Sequence, residues 1–236
     1  MPAASTFLAR AFAVVALVAT TACSTYLDAR AEAALRNALV RVVGPAESYD
    51  VRVSGASADG SRFERVRFAG RRIARAESPV LDRLELDLQG VVVDRAAKSL
   101  TAVAAARVEL QVKGADLAVF LGRWLGEPAV TLTAPDRIAI VGTPRIGAIA
   151  LAGAGRAELQ GRLVGAGSQL FLAIDRIRLG RSEAPPLALA IVERAINPIL
   201  DVAAAPLPAQ FDAVEVNGDD TLRIAGSGSR LPGSAP

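Results

Sequence analysis

Apolar and polar residues change their spacing along this chain, and each change marks a new kind of element. From Tyr26 to Val43 the apolar residues Leu27, Ala31, Leu35, Ala38, Leu39 and Val42 recur at helical spacing, and Gly44-Pro45 ends the run. This predicts an amphipathic helix over about 26–43. The period then drops to two. Val51 and Val53, Phe63, Val66 and Phe68, Leu84, Leu86 and Leu88, and Val108, Leu110 and Val112 alternate with polar neighbours such as Glu85, Asp87 and Gln89, or Arg107, Glu109, Gln111 and Lys113. Strands of this kind bury one face and wet the other, which favours antiparallel pairing. A second set is built around Leu132, Ile138 and Ile140, the long stretch Ile146 to Leu163, Leu170 to Leu179, and Val214, Val216, Leu222 and Ile224.

Two helices more apolar than a surface helix interrupt the strands. One spans about Ala115 to Leu125 and carries Leu117, Val119, Phe120, Leu121, Trp124 and Leu125. The other runs from Pro186 towards Val202. It opens after Pro185, which suits a helix start, and meets Pro198, which kinks or stops it. Within it Ile191, Val192, Ala195, Ile199 and Leu200 are expected to face the sheet, with Glu193 and Arg194 free to point away. Several strands read ten residues or longer against a usual five or six, and long twisted strands with one apolar face curl. The expected fold class is α+β: a long, strongly curved antiparallel β-sheet or β-barrel-like wrap, closed by two to three apolar helices around a hydrophobic groove or tunnel.

No Pro/Gly/Ser-rich linker divides the chain before Gly226, so a single domain over 23–226 is expected, followed by a disordered tail over 227–236. Residues 1–22 read as a signal peptide: Arg10 precedes an apolar run from Ala11 to Ala19 that is too short to span a bilayer, and Thr20, Thr21 and Ala22 form a small-residue cut site. Directly after that site stands Cys23, the single cysteine. The arrangement resembles the bacterial lipobox, with Thr20 in place of the usual aliphatic residue, and the resemblance implies acylation of Cys23 by palmitate-like chains. Ordinary cleavage that leaves a free thiol is the alternative. Ser24 is not the aspartate associated with inner-membrane retention, so the expected location is the periplasmic side of the envelope, on the outer membrane if the cell has one.

Composition removes most catalytic chemistry. With no histidine and one cysteine, the chain lacks a Ser-His-Asp triad, a Cys-His pair, an HExxH zinc helix and any intrachain disulfide. Asp28, Asp82, Asp87, Asp136, Asp175 and Asp201 are scattered singly through periodic segments, as on a solvated face. Asn217-Gly218-Asp219-Asp220 lies between two alternating runs and reads as a hairpin turn in preference to a calcium loop. A Ser-Lys hydrolase on Lys98 or Lys113 is the residual enzymatic alternative. Charge adds little: 27 basic against 24 acidic residues leave +3, and no basic cluster with interleaved aromatics suggests nucleic acid. The most basic stretch, Arg62 to Arg75, alternates like an exposed strand face. Neither enzyme activity, a cofactor nor a metal is expected.

The chain also resembles a known family. Asp116-Leu117-Ala118-Val119-Phe120-Leu121, and above all Ala195-Ile196-Asn197-Pro198-Ile199-Leu200 leading through Pro206-Leu207-Pro208 to a final hairpin, look like the LmeA-like phospholipid-binding family of exported bacterial proteins. The similarity runs from about Ala29 to Gly226. It implies a fold akin to tubular lipid-binding modules, an apolar cavity, and binding of phospholipid without chemistry, in envelope maintenance or lipid handling. The acylated Cys23 would then be a membrane tether that some relatives lack. Leu117, Phe120, Leu121, Trp124, Ile191, Ala195 and Ile199 are the candidates to touch lipid, with core packing as the first reading of such apolar side chains and cavity lining the second. Asn197 before Pro198 is read as a turn residue, with no ligand contact. The competing function is a structural or assembly accessory with a filled core that binds an envelope protein partner through its exposed edges.

Overall fold

The computed structural model describes residues 28–29, 31–33, 43–74, 78–94, 99–146, 149–150, 155–202 and 210–230. Cys23 and the signal segment lie outside the described residues, as do Pro206-Leu207-Pro208 and most of the helix expected over 26–43; Asp28, Ala29, Ala31 to Ala33 and Val43 of that helix are helical.

Among the described residues thirteen strands follow in order: β1 (Ser48–Ser54), β2 (Arg62–Ile73), β3 (Leu81–Asp94), β4 (Ser99–Lys113), β5 (Leu125–Thr133), β6 (Arg137–Ile146), β7 (Ile149–Ala150), β8 (Ala157–Ala166), β9 (Gln169–Leu179), β10 (Ser182–Glu183), β11 (Leu200–Asp201), β12 (Gln210–Asn217) and β13 (Thr221–Arg230). Helix α1 (Gly114–Leu121) links β4 to β5, and α2 (Pro186–Ile196) links β10 to β11. The strands form two sheets, ordered β1-β2-β3-β4-β13-β12 and β10-β9-β8-β6-β5, with β11 on β9 and β7 on β6. Every pairing is antiparallel.

Alternation explains the layering. In β8 the sequence Ala157, Leu159, Gly161, Leu163 is buried while Glu158, Gln160, Arg162 and Val164 are exposed. In β4, Ala106, Val108, Leu110 and Val112 are buried across from Leu84, Leu86 and Leu88 of β3. The apolar faces of both sheets, with Leu117, Phe120 and Leu121 of α1, join in one hydrophobic cluster. The sheets meet at β12, where the Phe211 amide donates to the Gly167 carbonyl and the Val216 amide to the Pro135 carbonyl, both at 2.7 Å.

The architecture corrects the sequence reading in several places. The wrap is two sheets, not a closed barrel. Among its described residues, the long stretch from Ile146 to Leu163 holds the end of β6, the short β7 and the first part of β8. The first apolar helix stops at Leu121: Gly122 ends it, Trp124 lies in the turn that follows, and Leu125 opens β5. The strand expected to end at Gly226 continues as β13 through Ser227 to Arg230, paired with Arg107, Ala106 and Val103 of β4. Residues 227–230 are thus strand where tail was expected. A 15-residue β4 offers a long edge of backbone donors and acceptors, and small Gly and Ser residues can lie along it without apolar alternation. The hairpin turn at 218–220 and the stop before Pro198 are as the sequence implied.

Candidate functional site

α1 is held by charge at its start and by apolar contact along its length. Asp116 lies in its first turn, where a carboxylate favours the helix dipole, and receives two hydrogen bonds from the Arg72 guanidinium at 2.5 and 3.0 Å. Arg72 itself adopts φ +52°, and Asp82, 3.5 Å from it, also pairs with Lys113 at 2.9 Å. The Asp116 hydrogen bond, more than any other neighbour, raises the affinity of Arg72 for its proton. At Gly114 a side chain would strike the Asp220 carboxylate, whose Oδ1 accepts from the Leu132 amide at 3.1 Å. With its entry fixed this way, α1 turns Leu117 and Leu121 fully inward and Phe120 nearly so. Trp124 is half-buried and meets Phe120 edge-on at 5.3 Å, and Arg123 covers the Phe120 ring at 5.1 Å.

α2 is positioned by hydrogen bonds to a strand edge. Between its short partners β10 and β11, strand β9 has backbone groups that no strand satisfies. Glu193 and Asn197, one helical turn apart, reach them: the Ile174 amide donates to Glu193 Oε1 at 2.6 Å, the Leu172 amide donates to Asn197 Oδ1 at 2.7 Å, and Asn197 Nδ2 donates to the Leu172 carbonyl at 2.8 Å. The Asn197 side chain therefore pairs with β9 as another strand would. Ile199 follows with a backbone hydrogen bond to Leu170. Asp28 and Glu32, also four residues apart on helical backbone, do the same at the other sheet, accepting from the Ala56 and Val53 amides at 3.2 and 3.0 Å. Both devices cover sheet edges that would otherwise be open for pairing.

This rotation corrects an expectation. Ile191 and Ala195 are exposed, not turned to the sheet, and Glu193 is the residue that faces β9. The polar needs of the β9 edge decide which side of the helix turns inward, and Leu189, Val192 and Ile196 supply the apolar contact on that side. Of the seven candidates for lipid contact, the structure brings Leu117, Phe120, Leu121 and Ile199 into the shared interior, leaves Trp124 at its margin, and puts Ile191 and Ala195 outside. Cys23 lies outside the described residues.

A recess of about 650 Å³ lies elsewhere, on the polar face of the first sheet. Arg52, Arg67, Asp87, Arg107 and Ser227 form one cross-strand row through it. Asp87 is taken by Arg65, whose Nε donates at 2.7 Å, and Glu109 by Arg223 at 2.9 and 2.8 Å. These guanidiniums hold both carboxyls below the usual carboxylate range. Such charged pairs suit contact with water and ions. Among the described residues no group of three or more acidic or cysteine side chains could hold a metal ion, and no helix is long and apolar enough to cross a membrane.

A family model described as LmeA-like phospholipid-binding matches residues 18–227. The chain belongs to the LmeA-like family. No curated protein and no solved structure matches it. The LmeA-like match spans the strands of both sheets up to Ser227, together with α1, α2 and the Ile196-Asn197-Pro198 step. At the Ile196-Asn197-Pro198 step the Asn197 amide joins the end of α2 to β9.

Proposed function

We propose that the protein is an exported, membrane-anchored lipoprotein that binds the acyl part of a phospholipid without catalysing a reaction, and so serves lipid handling or maintenance of the cell envelope. The observation that carries this reading is membership of a phospholipid-binding family over residues 18–227. The interior to which Leu117, Phe120, Leu121 and Ile199 belong is hydrocarbon, in keeping with an apolar ligand, and a chain with no histidine lacks the commonest acid–base group for attacking an ester. Burial of one methylene yields about 0.8 kcal/mol, so an acyl chain of about fourteen methylenes gains about 11 kcal/mol gross. Most of that gain is offset by loss of the bilayer environment, which leaves transfer near balance and suits a carrier. Acylation at Cys23 supplies the tether, and more than one chain makes it stable where a single chain is marginal.

The test is organic extraction and mass spectrometry of the protein purified without detergent. Phospholipid retained in fixed proportion to protein supports the reading. Protein that is lipid-free and takes up no phospholipid from vesicles refutes it and favours the accessory with a filled core. Replacing Cys23 with Ser separately tests the tether, since the variant should leave the membrane fraction.

A further inference from the structure

α2 points its acid inward and its base outward. Glu193 is spent on the Ile174 amide, while Leu187, Ala190, Ile191, Arg194 and Ala195 share the opposite face and are all exposed. Leu187 is 72 % and Ile191 61 % exposed, one turn apart, with Arg194 the next residue along the same stripe. A surface helix of a soluble domain normally shows charged and polar residues on this side. Here the outer face holds two large aliphatic side chains and one cation, and it carries no carboxylate. At the same edge of the sheet, the turn between β9 and β10 presents exposed Arg181 beside Leu179, itself 40 % exposed. Among the described residues neither Arg181 nor Arg194 makes an ion pair or side-chain hydrogen bond.

Aliphatic side chains flanked by unpaired arginines complement a bilayer whose headgroups are anionic. Leucine and isoleucine gain by entering the boundary between headgroups and acyl chains, and arginine stems can lie along it with the guanidinium at phosphate level. We propose that the outer face of α2 docks the protein on an anionic membrane surface, with Leu187 and Ile191 inserted and Arg181 and Arg194 against the headgroups. This goes beyond acyl-chain binding, because it gives the domain a defined orientation at the membrane, and it does not depend on the tether at Cys23.

The full chain with Cys23→Ser, which removes any acyl anchor, is sedimented with vesicles of phosphatidylcholine alone or mixed with about 30 % phosphatidylglycerol. The expected result is preferential binding to the anionic vesicles. Replacing Leu187 and Ile191 together with Gln should lower the partition coefficient at least about tenfold. Arg194→Gln should lower it about fivefold, a loss that high salt removes. All three positions are exposed, so the urea midpoint of each variant should match the parent. Equal binding to both vesicle types, or a partition coefficient unmoved by the double substitution, overturns the proposal. So does a double variant that loses self-association or capture of a protein partner while binding vesicles as before. Lipid extracted from the same variants tests the carrier reading independently: a variant that leaves the vesicles yet retains its phospholipid supports docking and carriage as separate properties.

Discussion

Asn197→Ala removes the clasp between α2 and β9 without touching the apolar core. The wild-type amide accepts from the Leu172 N–H at 2.7 Å and donates to the Leu172 carbonyl at 2.8 Å. Leu172 is 1 % exposed, so water has poor access to its backbone once the side chain is gone. A buried donor or acceptor left without a partner costs about 1–3 kcal/mol. Two such groups, partly relieved by local movement, should lower stability by about 3 kcal/mol. With a urea m-value of about 2.5 kcal/mol per M, the unfolding midpoint should fall by about 1 M at unchanged m. Circular dichroism against urea reads this directly. Asn197→Asp is the sharper comparison: it keeps the acceptor for the Leu172 amide but sets a carboxylate oxygen against the Leu172 carbonyl, and should also be destabilised at neutral pH. Relative to wild type its deficit should shrink as the pH falls and a carboxyl proton restores the donor. If both variants unfold within about 0.2 M of wild type, the clasp contributes nothing net, and the account of why α2 lies where it does is wrong.

Three further outcomes follow from the geometry. At Gly161 a Cβ would sit 2.3 Å from the Ala173 carbonyl oxygen, beside the register shift between β8 and β9, so Gly161→Ala should cost about 3 kcal/mol in urea unfolding, whereas Gly218→Ala, with open space around it, should stay within about 0.5 kcal/mol. Leu121 is fully buried, so Leu121→Ala should lose about 2–5 kcal/mol, and Leu121→Trp in a folded variant should reduce the phospholipid recovered by extraction; unchanged occupancy removes Leu121 from the lipid-contacting surface. Asp87 and Glu109 have carboxyl pKa values lowered chiefly by hydrogen bonds from Arg65 and Arg223, and Asp59 by the hydroxyls of Ser57 and Ser61. A lowered folded pKa means that the unfolded chain takes up protons first, so this stability is complete above the ordinary carboxylate range and is lost as pH falls below about 4. Without histidine, the urea midpoint should be flat from about pH 5.5 to 8, and a transition inside that window contradicts the assignment.

For the clearly alternating segments, such as those around Leu84, Leu86 and Leu88 or Val108, Leu110 and Val112, the period of the apolar residues determines that they are strands, that they pair antiparallel and which side is buried, because a one-residue slip would turn these side chains into water. Absence of histidine and the place of Cys23 are likewise properties of the sequence alone. The family was legible in the Asn197-Pro198 step, but the reason for it was not, since the same dipeptide could equally have been a plain turn. Hydrophobic spacing gave the wrong inner face for α2: Ile191 and Ala195 look as apolar as Val192 and Ile196, and nothing local says that β9 has an edge amide waiting at Ile174. Which strands lie at an edge, and therefore which helix must spend Glu193 and Asn197 on them, depends on pairings between residues far apart in the chain. The same holds for Arg72 and Asp116, and for the division into two sheets that meet at β12. Local periodicity records what each segment must hide from water, while the partners of backbone polar groups exist only after the segments are assembled, and here those partners turned Leu187 and Ile191 outward.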